Sequence, residues 1–402
     1  MSRLRVSLAI FAIFGLFAVP ASAVMSTSAE HAVLMDGETG QVLWAKDGFS
    51  PMAPASMSKL MTLELLFQRL KDGRVKLTDQ FVVSERAWRT AGSTGFTRVG
   101  DRLTVDDLIQ RIIVVSGNDA CIVVAESLGG TVEGFVDLMN KRAKDLGLNG
   151  SHFVNPDGLP EPAGQVMTAY DLAKLARHLV KTYPQYYRFF GVLQYTVYDR
   201  DSKGRQKPIT QPNRNMVLQK FPGADGLKTG HTDLAGYGVT ASAVKDGHRL
   251  ILVLNGLRFP DLVKANPKTA DWFAEIRRGE EGARVLDMGF REFRAYQLFK
   301  ANDIAGTVPV FGGSVDTVPV TTGKPLAVTL QVDSRAKMVV AIKAMAPVAA
   351  PIKAGQQVGT LTVSAPDFPT LSVPLYAAQD VGRANIFSRM FTGAAALFGG
   401  KK

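Results

Sequence analysis

An α+β fold is predicted for this chain: an antiparallel sheet assembled from strands distant in sequence, a helical region between them, and a small all-β domain behind. Three observations lead there. Hairpin patterns occur at residues 31 to 46, around Asp36-Gly37-Glu38-Thr39-Gly40, and at residues 237 to 255, around Asp246-Gly247. Residues 58 to 190 read as largely helical, with apolar side chains at helical spacing in stretches such as 168 to 180. After Phe290, short runs such as Leu326 to Val332 and Gln357 to Val363 read as strands separated by Gly and Pro. Hairpins on both sides of one helical region are expected to share a sheet.

In chain order, the first element is a leader. Arg3 and Arg5 precede an apolar run from Val6 to Val19 and then Ala21-Ser22-Ala23, the pattern of an export signal cleaved after Ala23. The run is short for a membrane span. The expected division is therefore a signal peptide at 1–23, a catalytic unit at 24–290, a β domain at 291–378 and a tail at 379–402. A net charge of +11 over 402 residues suits an acidic polymer or an anionic membrane surface. The charges are dispersed and no nucleic-acid motif accompanies them, so nucleic acid is not expected as a partner. The single cysteine, Cys121, excludes an internal disulfide, and its apolar neighbours predict a buried thiol. The five histidines form no H-x-x-x-H or similar pair, so neither a metal nor another cofactor is expected.

S-x-x-K occurs three times. Ser242 to Lys245 and Ser334 to Lys337 fall in β-like segments, where residues three apart point to opposite faces and cannot exchange a proton. Ser56-Met57-Ser58-Lys59 follows Pro54-Ala55 and opens a helix-forming stretch from Leu60 to Phe67 free of Gly and Pro. A serine at a helix start sets Lys59 one turn on and on the same face. An amine so placed can take the hydroxyl proton if it is neutral, and burial or a second cation lowers a lysine pKa. Lys228 is the expected second cation.

Two further motifs complete the set. Ser116-Gly117-Asn118, the only S-x-N in the chain, stands between two apolar helical stretches, where it can cap a helix or present polar groups to a site. Lys228-Thr229-Gly230, followed by His231, is expected at the start of an edge strand that pairs with an extended peptide. Gly230, without a Cβ, is expected to let a substrate backbone approach.

With these residues in this order, the chain resembles the serine-type D-alanyl-D-alanine carboxypeptidases of the low-molecular-mass penicillin-binding protein family. The likeness extends to residues 32–44, Ser116 to Cys121, Lys228 to Tyr237, Ser151 to Leu159 and Met288 to Phe293. The resemblance implies a serine β-lactamase/transpeptidase-like catalytic domain with Ser56 as nucleophile, Lys59 as its base and Ser116 as proton relay. It implies that Asn118 holds the lysine and the substrate backbone, and that the N–H groups of Ser56 and His231 form an oxyanion hole, worth about 2.7–4 kcal/mol per donor. It implies that Lys228 and Thr229 grip a terminal carboxylate, helped by Arg278, twelve residues before Phe290. The implied substrates are peptidoglycan stem peptides, with β-lactams as acylating inhibitors.

Two alternatives share the triplet. A serine β-lactamase needs a carboxylate for fast deacylation, usually in E-x-x-x-N, which this chain lacks; a non-enzymatic penicillin-sensing or wall-binding protein has no need of an intact nucleophile set. The last residues add a localisation signal. Ile386, Phe387, Met390, Phe391, Ala394, Leu397 and Phe398 fall on one helical face with Arg389, Lys401 and Lys402 nearby. Residues 386 to 398 make a helix of about 20 Å, short of the about 30 Å of a hydrocarbon core, so this tail is expected to lie in the membrane interface. The expected place of the protein is the periplasm, attached to the inner membrane.

Overall fold

The computed structural model describes residues 25–200, 205–344 and 348–384. The expected leader at 1–23 and the apolar face from Ile386 to Phe398 lie outside them. Among the described residues no helix is long and apolar enough to cross a membrane.

The central sheet is antiparallel, with strands in the order Val42–Lys46, His31–Asp36, His248–Leu257, Gly236–Lys245 and Ala224–Thr232. Both predicted hairpins contribute to it, and His31–Asp36 pairs with His248–Leu257 across more than two hundred residues of chain. Asp246 and Gly247 both have positive φ, 52° and 75°, the geometry a two-residue hairpin turn requires. Successive strand residues face opposite sides, and here both sides are covered. Val33, Met35, Ile251 and Val253 pack under the helical region, whereas Ala32, Leu34, Leu250, Leu252 and Leu254 pack under the helix Ala270–Glu292. That explains the unbroken apolar run from Leu250 to Leu254: a strand buried on both faces has no polar positions to alternate with.

The helical region is built from Lys59–Lys71, Val105–Gln110, Asn118–Gly129, Val132–Asp145 and Ala169–Thr182, with shorter turns between. Thr168 caps the last of these through Asp171 N–H. Two small hairpins were not foreseen: Gln80–Val82 with Arg102–Thr104, and Gln194–Arg200 with Gln206–Pro212. Neither joins the main sheet, so neither has the continuous apolar run by which a core strand is recognised.

The helix Ala270–Glu292 passes directly into Phe293–Phe299, which pairs with Leu326–Gln331, and a six-stranded sheet completes the all-β domain. This domain outlasts the expected boundary at 378. Val381 exchanges backbone hydrogen bonds with Ile352, and Ala384 N–H donates to Gly312, so residues 381 to 384 belong to it. Asp36 fastens the two domains. Its carboxylate accepts from the backbone N–H of Glu38 and Thr39 and from Thr329 Oγ1 at 2.5 Å, with His248 Nε2 at 2.8 Å. Burial alone would raise its pKa, but the hydrogen bonds from His248, Thr329 and Thr39 prevail and hold it at about 2.

A depressed carboxylate pKa adds stability that is present above the unfolded value and lost as pH falls through the folded one. Asp36→Ala is expected to cost about 2 kcal/mol at neutral pH, and the wild-type advantage is expected to fade between about pH 4 and pH 2, both read from denaturant unfolding.

Candidate active site

The three motifs converge where sheet and helical region meet. Ser56 lies on a 3-10 turn, Ala55–Ser58, that leads into Lys59–Lys71, so the nucleophile candidate and Lys59 are one helical turn apart as expected. Ser56 is partly exposed while Met57, Ser58 and Lys59 are buried. Lys59 Nζ stands 2.7 Å from Ser56 Oγ and 2.7 Å from Asn118 Oδ1, and it also donates to the Asp157 carbonyl. All three of these partners are neutral. Burial therefore lowers its pKa below the usual lysine value, and the guanidinium of Arg214 pushes it the same way. The expected second cation was Lys228. Burial, Lys59 and the two arginines Arg214 and Arg278 instead hold Lys228 well below its ordinary range.

Ser116 ends a π-helical turn, Arg111–Val115, with φ of 62°, and Asn118 starts the next helix. That break turns both side chains into the site. Ser116 Oγ accepts from Lys228 Nζ at 2.9 Å. The Asn118 carboxamide bridges Lys59 to the Ala91 carbonyl, which takes a hydrogen bond from Nδ2 at 2.7 Å. Cys121, on the same helix, is fully buried, and burial pushes its thiol up to about 12, as inert as its apolar neighbours predicted.

Lys228-Thr229-Gly230 occupies the middle of the edge strand Ala224–Thr232, not its start, because pairing with Gly236–Lys245 begins already at Ala224. Gly230 has a reason beyond the one expected. A Cβ there would come within 2.9 Å of Pro54 O and 3.1 Å of Met57 N, so its bare Cα makes room for the turn that carries Ser56. His231 stacks on Tyr237 at 3.7 Å, and Tyr237 donates to Asp271 at 2.6 Å. Arg278 is buried, and burial pulls its guanidinium down to about 10; it donates to the backbone oxygens of Arg214 and Gly230.

Ser56, Ser116, Thr229, Gly230, His231 and Arg278 line one cavity of about 170 Å³. Ser93, Arg214, Asp271 and Glu275 line it too, and sequence reasoning passed over them. Arg214 belongs to no motif; only the chain path brings its guanidinium to Ser93 Oγ at 2.9 Å. A larger cavity, about 850 Å³, lies elsewhere, between the domains beside Asp36 and Phe290, and contains none of the motif residues. Chemistry, not volume, selects the smaller one.

Ser242 and Lys245 diverge on their strand as expected: Ser242 is buried against Arg249, and Lys245 is exposed. Ser334, however, sits on a 3-10 turn, Val332–Lys337, where positions three apart share a face. Its exclusion rests instead on its place in the β domain, away from Ser116 and Lys228. Among the described residues, no group of three or more His, Cys, Asp or Glu side chains could hold a metal ion.

Residues 18–257 match the D-alanyl-D-alanine carboxypeptidase family, and residues 293–383 match the C-terminal domain of penicillin-binding protein 5. The chain is 33% identical to D-alanyl-D-alanine carboxypeptidase DacF of Bacillus subtilis, over 90% of this chain and 88% of the relative. It is 32% identical to D-alanyl-D-alanine carboxypeptidase DacC of Escherichia coli, over 91% and 87%. The crystal structure of penicillin binding protein 5 from Haemophilus influenzae superposes with a TM-score of 0.75 at 29% identity, covering 89% of this chain and 98% of that one.

Gly230→Ala is expected to slow acylation by a labelled penicillin about 10-fold, because the new Cβ displaces the Ser56 turn by a fraction of an ångström. Stopped-flow or quenched labelling of folded protein, verified by circular dichroism, measures it.

Proposed function

The chain belongs to the D-alanyl-D-alanine carboxypeptidase family, and from that premise we propose how its own residues carry out the reaction and where in the cell they do so. The enzyme is a peptidase acting on peptidoglycan, with a penicillin-binding fold and a C-terminal all-β domain. Its substrate is the stem pentapeptide, and the bond cleaved is the one before the terminal D-alanine.

One observation carries the mechanism: a buried lysine amine within 2.7 Å of a partly exposed serine hydroxyl, with no carboxylate among its hydrogen-bond partners. Neutral Lys59 takes the proton of Ser56 as Oγ attacks the carbonyl carbon of the penultimate D-alanine. The N–H groups of Ser56 and His231 receive the oxyanion. As the C–N bond breaks, Ser116, bonded to Lys228, passes its proton to the departing amine and regains one from the Lys59 ammonium, so D-alanine leaves and Lys59 is again the free base. Thr229, Lys228 and Arg278 hold its carboxylate, and Arg214 on the same cavity wall adds a further positive charge. Asn118 keeps Lys59 in place. Lys59, neutral again, then takes a proton from water as the water attacks the ester, and returns it to Ser56 Oγ as the acid leaves. A penicillin enters by the same acylation and stays longer, which is the behaviour that separates this reading from a β-lactamase.

The Arg3–Ala23 segment is read as an export leader, and the apolar face from Ile386 to Phe398 as an interfacial membrane anchor on the periplasmic side of the inner membrane. The pairing of residues 381 to 384 within the β domain sets where a clean truncation begins.

Three outcomes are expected. Purified protein releases D-alanine from a D-Ala-D-Ala peptide and retains a penicillin label, and Ser56→Ala abolishes both; rapid penicillin turnover without D-alanine release would instead indicate a β-lactamase. The acylation rate rises with pH as Lys59 loses its proton, and since burial lowers that pKa the rise falls below the about 10.4 of free lysine. Deleting residues 385–402 moves the protein from the membrane to the soluble fraction with D-alanine release intact; unchanged membrane association of the truncated protein would refute the anchor.

A further inference from the structure

Gln165 ties the turn that carries the nucleophile to the carbonyl behind the base, and we propose that it is a positioning residue for acylation, setting where Lys59 stands relative to Ser56. The inference rests on the reading of Ser56 as nucleophile and Lys59 as its base.

Ala55, directly before Ser56, has φ of 46°, in the left-handed region that a residue with a side chain enters only when its surroundings hold it there. One of the groups holding it is Ser58, whose Oγ donates to the Ala55 carbonyl at 3.0 Å. Gln165 Nε2 in turn donates to Ser58 Oγ at 3.0 Å. The other end of the same carboxamide faces a different segment. Gln165 Oε1 accepts from Val154 N–H at 3.0 Å and Asn155 N–H at 3.1 Å. Asn155 continues the chain of contacts, its Oδ1 accepting from Gly158 N–H at 2.7 Å and Asp157 N–H at 3.3 Å. The turn so formed aims the Asp157 carbonyl at Lys59 Nζ.

The two segments are also in direct contact. Gly158 lies at φ of 85° with no space for a Cβ against the Ala55 carbonyl, and Thr62 Oγ1 donates to the Pro156 carbonyl at 2.6 Å. These contacts bring the turns together, but they do not orient either end of the pair that reacts. Among the described residues only the Gln165 side chain, 9% exposed, hydrogen-bonds to both the Ser58 hydroxyl and the backbone leading to Asp157. One rigid amide group thus couples the strained residue beside Ser56 to an acceptor of Lys59. Near-attack geometry is sensitive to such coupling, since displacing a reacting group by about 1 Å can cost about 100-fold in rate.

Gln165→Met retains most of the side-chain volume and removes both sets of hydrogen bonds. It is expected to acylate about 10- to 100-fold more slowly with labelled penicillin, with the preceding non-covalent affinity changed less than about threefold. The acid limb of its pH–rate profile is expected to move to lower pH, because an ammonium loses more than a neutral amine when an acceptor carbonyl swings away. Asp119, Cys121, Asp157, Arg214 and Lys228, the titratable and charged groups around Lys59, are all retained in this variant. Ser58→Ala interrupts the same path at its other end, so the double variant is expected to be no slower than the slower single one.

Rates are taken per labelled site, so loss of folded protein does not register as slow acylation. A wild-type rate with an unmoved limb in Gln165→Met overturns the proposal, as does strict additivity with Ser58→Ala. Failure of the wild-type protein to take label on Ser56 would instead overturn the underlying reading of the site, a result distinguishable from the other two.

Discussion

A lysine amine sealed from water without a carboxylate partner is the constraint on which the rest of this site depends. An ammonium in such a place is costly, so burial works on the equilibrium in favour of the free base. Lys59 meets a serine hydroxyl, an asparagine carbonyl and a backbone carbonyl, each from a different segment of the chain. The two carbonyls take the two N–H groups of the free amine, and the serine hydroxyl can donate to its lone pair, so none of the three restores its charge. A carboxylate in the same position would pair with the lysine and hold its proton. Asp157 shows how near that alternative lies: its carbonyl is turned to Lys59, while burial raises the pKa of its own carboxyl group.

Around this base the site is positive. Arg214 and Arg278 line the cavity with Thr229 and Ser116, and together with burial and Lys59 they hold Lys228 well below its ordinary range. Like charges gathered in a poorly solvated cavity are mutually destabilising until an anion arrives. In the proposed reaction a peptide ending in a carboxylate relieves that repulsion and places its last amide bond over Ser56. Binding and orientation then draw on the same electrostatic source. Asp271 and Glu275 on the rim moderate the field without occupying its centre.

The fold supplies the stiffness these arrangements need. The sheet is buried on both faces, so the edge strand with Lys228 cannot shift without disturbing two apolar layers. Gly230 lets that strand pack directly against the Ser56 turn, and the π-helical break at Ser116 brings a second segment to the same point. The β domain is attached through a continuous helix-to-strand connection and the Asp36 carboxylate, on the side of the sheet that holds the larger cavity rather than the active site.

Local spacing and apolar periodicity were enough to reveal both main hairpins, the helical region, the β-rich end and the Ser56-Lys59, Ser116-Asn118 and Lys228-Thr229-Gly230 sets, because each depends on residues within a few positions of one another. The same local information could not reveal Arg214, Ser93 or Gln165, whose contacts are made across tens of residues and carry no spacing rule. It also missed the packing reason for Gly230, because the direction of a missing Cβ depends on what packs there, and misread Ser334, because a 3-10 turn and a strand end look alike in composition. Local motifs were enough to pick out the groups proposed for the chemistry. Which cation faces Lys59, which carbonyl steadies it and why Gly230 must lack a side chain were decided by tertiary packing, since desolvation and contact exist only once distant segments have met.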